Sequence, residues 1–372
     1  MLNTNAISDH EKINVLLIRT LCIFWLPAKL IGWRMSTTYR LFPTAPVFEN
    51  FDRVPPIIHL VLFILSLVLI LLIFIFYKNK SLLWGLLAVE IFSCMLDQNR
   101  LNPWEYQNLF IIFIFIVNAG NQRLVTVAFA FILTSTYFYS GFGKLNEGFL
   151  NTVWTKLLLE AFFKIPPAIA LQHWMHLGGY LVGLTELIAG VGLMFLKTRK
   201  ISAVVLIVMH LFILLFLGPF GLWYNKIVWP WNLAMIFYLY FIYLKKDQII
   251  IPLKSIFIGW NRLVFIFWGI LPALNFIGWW DNYLSSSIYS GKTPRMIICI
   301  KDTAKCKPLQ RFCRAGHHFC KGGAFIELQY WAMSETNVLP YPEIRVYKEL
   351  QVKLERQYAD AGLSCVFVEG GK

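Results

Sequence analysis

Apolar positions along this chain do not alternate with polar ones; they gather into long blocks. A helix of about 18 or more apolar residues is long enough to cross a hydrocarbon core of roughly 30 Å, and blocks of that kind recur. They predict about nine spans, at 13–33, 56–77, 81–96, 104–118, 123–142, 169–196, 200–217, 229–244 and 256–277. The second block, PIIHLVLFILSLVLILLIFIFY from Pro56, is the clearest. The first carries Arg19 and Lys29, the third Glu90 and the fourth Gln107. Between the fifth and sixth, 149–165 reads as an amphipathic surface helix ended by Pro166-Pro167. The stretch Met1 to Lys12 is polar and no small-residue cleavage site follows the first block, so that block is expected to remain as an anchor.

From about Gly278 the pattern shortens. Strand-like runs occur at Arg295–Ile300, Phe325–Trp331 and Cys365–Glu369. Glu343 to Tyr358 has helical spacing, with Ile344, Tyr347, Leu350 and Leu354 on one stripe. The expected fold class is therefore an all-α polytopic membrane protein of about nine transmembrane helices over 1–277, with a small basic α/β extramembrane domain over 278–372.

Composition agrees with that division. The chain has 372 residues, of which 58% are hydrophobic and 15% charged, too little charge to keep the surface of a soluble protein of this size wet. The net charge of +14 has no basic stripe with interleaved aromatics behind it, so no nucleic-acid partner is expected. Short loops hold the basic residues instead, where they meet anionic membrane lipids and orient helices. Lys78, Lys80, Arg123, Lys197, Arg199, Lys200, Lys245, Lys246 and Lys254 fall on the side of the N-terminus. The opposite loops hold Arg34, Arg40, Arg53, Arg100, Lys156, Lys164 and Lys226, spread over longer segments. This bias predicts a multi-pass protein of the cell inner (cytoplasmic) membrane, with the C-terminal domain on the outer, periplasmic side.

The loops with unusual polar chemistry all fall on that outer side: Asp97–Trp104, Ser140–Leu150, Gly218–Asn232 and Trp279–Pro294. Such clustering is what a site opening to one face produces. Inside the spans, Glu186 and His210 lie about eleven or twelve residues on either side of the turn at Lys197–Lys200, hence at a matched depth of about 17–18 Å. Two ionisable groups at one depth in adjacent helices are expected to pair, as a structural hydrogen bond or as a proton relay. Gly178, Gly179, Gly183, Gly190 and Gly192 on the same helix let a neighbour approach closely. Glu90 is a further buried carboxylate. His173 and His176 lack a nearby third ligand, and no metal site is assigned to them. Cys299, Cys306, Cys313 and Cys320 recur every seven residues without a zinc-type spacing, so disulfides are the better expectation if the tail is outside.

YFYSGFGKLNEGFLNTVW from Tyr137 resembles the lysine-bearing segment of the vitamin K-dependent γ-carboxylase family and its bacterial relatives, the HTTM-domain proteins. GPFGLWYNKIVWPWNLAMIF, WWDNYLSSSIYSGKTPR and the tail segment YPEIRVYKEL are similar to later signatures of the short bacterial members. The resemblance implies a reduced quinone as cofactor and a lysine base, which falls on Lys144. Here the run is Gly143-Lys144-Leu145-Asn146, where the carboxylases carry a Lys-Lys pair and then an acidic residue. Their large peptide-binding domain is replaced by a short basic tail. A lysine at the end of a span ordinarily snorkels to the headgroups, whereas one held in an apolar pocket can become a neutral amine and act as a base. Lys144 is expected to line a cavity near Glu90 and the Gly218–Asn232 loop, with Trp229, Trp231 and Asn232 as cofactor contacts. No Walker loop, dinucleotide fingerprint, hydrolase elbow or HExxH motif occurs. Two functions stay open: a carboxylase-like or quinone-linked membrane enzyme using Lys144 with Glu186, His210 and Glu90, or a non-catalytic membrane protein that binds a lipid, a quinone or a protein partner, or transports a small solute.

Overall fold

The structure is a computed structural model that describes residues 4–245, 252–320 and 323–370; Lys246 of the basic loops lies outside them. The chain runs through α1 (Thr4–Ile31), α2 (Pro56–Phe76), α3 (Lys80–Leu96), α4 (Pro103–Val117), α5 (Gln122–Phe142), a π-helical α6 (Leu150–Phe162), α7 (His173–Gly192), α8 (Arg199–Leu217), α9 (Val228–Leu244) and α10 (Asn261–Ile277). Boundaries follow local chemistry. Pro56 and Pro103 open α2 and α4, where a missing N–H costs nothing. Asn79 caps α3 by accepting from the Ser81 and Leu82 amides, and Asn121 caps α5 by accepting from Leu124.

Among the described residues, four helices are long and apolar enough to cross a membrane: Asp9–Ile31, Pro56–Phe76, Gln122–Phe142 and Arg199–Leu217. Pro103–Val117, Val228–Leu244 and Asn261–Ile277 are apolar but shorter. Four is fewer than the nine expected, because α3 with 17 residues, α4 with 15, and the similarly short α9 and α10 fall below the length that a full span needs. The apolar window of α2 is 28% buried, so its side chains face outward, while that of α5 is 78% buried at the centre of the bundle. Helices inside the bundle meet protein rather than lipid and tolerate polar residues and shorter lengths, as α4 does with Glu105, Gln107 and Asn108 all buried.

The C-terminal unit is a four-stranded antiparallel sheet in the order β2-β3-β1-β4, from β1 (Arg295–Ile300), β2 (Arg314–Ala315), β3 (Ala324–Glu327) and β4 (Leu363–Val368). Two helices accompany it, α11 (Leu328–Thr336) and α12 (Ile344–Gln357). The run expected as one strand over Phe325–Trp331 breaks at Leu328 into α11, whose Leu328, Trp331 and Ala332 are buried. On α12 the buried stripe is Val346, Tyr347, Leu350 and Leu354, with Val346 in place of Ile344. Cys299 and Cys320 form a disulfide, whereas Cys306 and Cys313 are free.

This unit is not a loose appendage. One hydrophobic core joins its Met296, Ile298, Trp331 and Tyr347 to Met35, Phe42, Trp104, Phe216 and Ile227 at one end of the bundle. Glu335 accepts from the backbone amides of Leu41 (2.8 Å) and Phe42 (2.9 Å), and Asn99 Oδ1 accepts from the Tyr341 amide (3.0 Å). Three of the four loops expected to share a face, Asp97–Trp104, Gly218–Asn232 and Trp279–Pro294, enter this core through Trp104, Ile227 and Tyr283.

Candidate functional site

The tightest helix pair in the bundle, α5 against α7, builds the site. A Cβ on Gly141 would stand 2.5 Å from the Leu187 amide nitrogen, one on Gly183 2.9 Å from the Gly141 carbonyl, and one on Gly190 2.8 Å from the Tyr137 Cβ. Glycine at these positions lets the two backbones meet. Gly141 thus serves helix contact rather than ligand approach. The contact brings Lys144, just beyond the end of α5, to Glu186 on α7.

Lys144 Nζ donates to Glu186 Oε2 at 2.6 Å, to Ser140 Oγ at 2.6 Å and to the Ser140 carbonyl at 3.3 Å. The side chains are 13% and 5% exposed, so Lys144 is folded inward rather than extended to the headgroups. The pair borders a cavity of about 130 Å³ whose other walls include Trp154, Met209, Phe212 and Trp231. Part of the wall is α6, expected as a surface helix: Val153, Trp154 and Leu158 close the cavity, and Trp154 Nε1 donates to the Met175 carbonyl at 2.8 Å. A π-helical stretch is rare and its presence beside a cavity is common at functional sites.

A second polar chain lines the same cavity. Tyr137 Oη lies 2.8 Å from His210 Nε2, and His210 Nδ1 lies 2.7 Å from Asn232 Oδ1. Asn232 Nδ2 donates to the Val228 carbonyl at 2.7 Å, which fixes the amide with its oxygen toward the histidine. The network then assigns the proton to Nδ1, leaving the Nε2 lone pair to accept from the Tyr137 hydroxyl. This arrangement suits a neutral imidazole that can take or pass a proton through Tyr137.

The expected residues distribute as follows. Lys144, Glu186, His210, Trp231 and Asn232 border one cavity. Glu186 and His210 do not pair with each other; both border the cavity, but Glu186 turns to Lys144 and His210 to Tyr137 and Asn232. Glu90 lies elsewhere: Lys29 Nζ donates to it at 2.5 Å and the Ser66 hydroxyl donates to its other oxygen, so it does not adjoin Lys144. Trp229 is off the cavity, donating to the Tyr224 carbonyl at 3.2 Å and packing edge-on against Trp223. His176 meets Thr155 and Glu147, each at 3.3 Å, and among the described residues no group of three metal-ligating side chains occurs. Sequence reasoning passed over Tyr137 and Ser140. Their signal was available, because both precede Lys144 by about one or two helical turns and fall on its face.

Comparison with known protein families, curated proteins and solved structures finds no match to this chain.

Proposed function

We propose that the chain is a multi-pass membrane protein whose Lys144 cavity binds the ring of an amphiphilic hydroxyl compound of the reduced-quinone class and removes its proton. The inward-turned Lys144–Glu186 pair at the edge of an aromatic cavity carries this reading. The volume of about 130 Å³ is on the scale of a cavity that accepts one benzene ring (about 150 Å³), and Trp154 and Trp231 offer ring faces. In this reading Lys144 serves as the base, its own proton having passed across the 2.6 Å contact to Glu186. The substrate O–H then breaks as an N–H bond forms on Lys144. The product is a quinol anion beside an ammonium, with Glu186 still protonated. The similarity of the Tyr137–Trp154 segment to the carboxylase lysine segment supports the same role for Lys144.

Purified protein titrated anaerobically with a reduced short-chain benzoquinone should give the absorbance of the quinol anion. Lys144→Arg should abolish it while leaving the thermal melt unchanged, since a guanidinium stays charged. An equal signal from Lys144→Arg sinks the reading. A non-catalytic binding role is the second reading, favoured by the three acceptors that already satisfy Lys144.

Nine spans, an inner-membrane location and an outer C-terminal unit complete the proposal. The Cys299–Cys320 disulfide supports the outer placement, because such bonds persist in oxidising compartments. A membrane-impermeant maleimide on intact cells should label Cys313, which is half-buried, and spare Cys306, which is fully buried. Labelling only after lysis reverses the orientation.

A further inference from the structure

A larger cleft, of about 780 Å³, shares no lining residue with the Lys144 cavity. Its walls are hydrocarbon and aromatic: Leu87 and Ile91 of α3, Leu109 and Phe113 of α4, and Leu263 and Phe267 of α10. From Leu87 to Met95 the cleft follows α3 for about 12 Å of rise. Its rim includes Ile91 at 44% and Val47 at 48% exposure, so it opens on an apolar flank of the bundle. Its other end lies under the sheet domain and is polar, with Asp281, Tyr341, Arg345 and Glu349.

The two ends together describe an amphiphile, and the charges of the mouth select its headgroup. Asp281 holds Arg345 through two bonds, of 2.9 and 2.6 Å, and accepts from the Tyr341 hydroxyl at 2.7 Å. The guanidinium is therefore positioned, yet the Arg345 side chain stays 54% exposed, with N–H groups available to a phosphate. One helical turn on, Glu349 has Lys353, at 3.3 Å, as its partner among the described residues. A cation followed by a carboxylate about 5–6 Å along one helix face matches the order of phosphate and primary ammonium in an ethanolamine headgroup.

We propose that this cleft binds one molecule of phosphatidylethanolamine, with an acyl chain between α3, α4 and α10, its phosphate on Arg345 and its ammonium on Glu349. Phosphatidylglycerol brings no cation to Glu349, and phosphatidylcholine brings no N–H donor. The inference stands on the membrane character of the helices and not on the chemistry assigned to Lys144.

The full chain in nanodiscs of equimolar dioleoyl phosphatidylethanolamine, phosphatidylglycerol and phosphatidylcholine is then released and weighed by native mass spectrometry. One phosphatidylethanolamine should remain per chain. Glu349→Gln should cut its preference over phosphatidylcholine about tenfold, the loss of one charge-assisted hydrogen bond. Ile91→Trp, at the exposed rim where folding is least at risk, should obstruct the entry to the cleft and lower the amount of lipid retained. Retention of phosphatidylglycerol or phosphatidylcholine at equal levels overturns the headgroup assignment. No retained lipid, or retention unchanged in folded Ile91→Trp, overturns the site.

Discussion

Lys29 and Lys144 look alike and sit in different surroundings. Their side chains are 10% and 13% exposed, and each lies within 2.6 Å of a carboxylate oxygen, so neither burial nor pairing separates them. Charge count and space do. Lys29 is clasped by two carboxylates, Glu90 at 2.5 Å and Glu105 at 3.0 Å. Each carboxylate has a further donor, the Ser66 hydroxyl on Glu90 and Trp25 Nε1 on Glu105, and only about 20 Å³ of void adjoins the cluster. That cluster ties α1, α2, α3 and α4 together and has no room for a ligand. Lys144 has one carboxylate and a cavity several times larger. A buried charge with no space beside it holds helices in place; a buried charge beside a cavity has room next to it for a ligand.

The comparison is most exposed to test at the lysines themselves. Lys29→Met strands two buried carboxylates and should cost about 3–5 kcal/mol in detergent or prevent folding. Lys144→Met strands one buried carboxylate where Lys29→Met strands two, and should cost about 1–3 kcal/mol. Thermal melts of the two variants decide the matter, and the reverse order would break the distinction.

Gly141→Ala is the next largest. Its methyl would meet the Leu187 amide nitrogen at 2.5 Å, so α5 and α7 must part, at a cost of about 1–3 kcal/mol. The same change should weaken whatever ligand binding the Lys144 cavity has, whereas Gly120→Ala, with nothing within 4 Å, should be tolerated.

Double-mutant cycles sharpen the wiring. Lys144→Met with Glu186→Gln should show a coupling of about 0.5–3 kcal/mol, and so should Tyr137→Phe with His210→Gln. Glu186→Gln with His210→Gln should couple by less than about 0.5 kcal/mol, because neither group bonds the other. Strong coupling between Glu186 and His210 would show that the two chains act as one.

The smallest effect concerns pH at the junction between bundle and sheet domain. Burial pushes the Asp97 carboxyl up, but the Arg40 and Arg100 guanidiniums outweigh it and hold the group below its usual range. A depressed carboxylate contributes stability that is present above the unfolded value of about 3.9 and is lost as the pH falls through the folded one. Melting temperatures measured downward from pH 5 should therefore fall, and Asp97→Asn should flatten that slope while lowering stability at neutral pH.

Much of the architecture was decided by residues close in sequence. Hydropathy sums over one turn after another, so the block at Pro56 could only be an apolar helix, and the spacing over Glu343–Tyr358 could only bury one face of α12. Glycines at Gly183 and Gly190 likewise announced a close helix contact, and counting residues from a turn placed Glu186 and His210 at one depth. What counting leaves open is direction around the axis and the identity of the neighbour. The partner of Glu90 is Lys29, 61 positions away, and the partner of Glu186 is Lys144, 42 away. Those choices, and the difference between a filled cluster and a cavity, depend on which helices pack together and how closely. Only the assembled bundle decides that, because a polar group in a dry interior takes the donor that packing brings within reach.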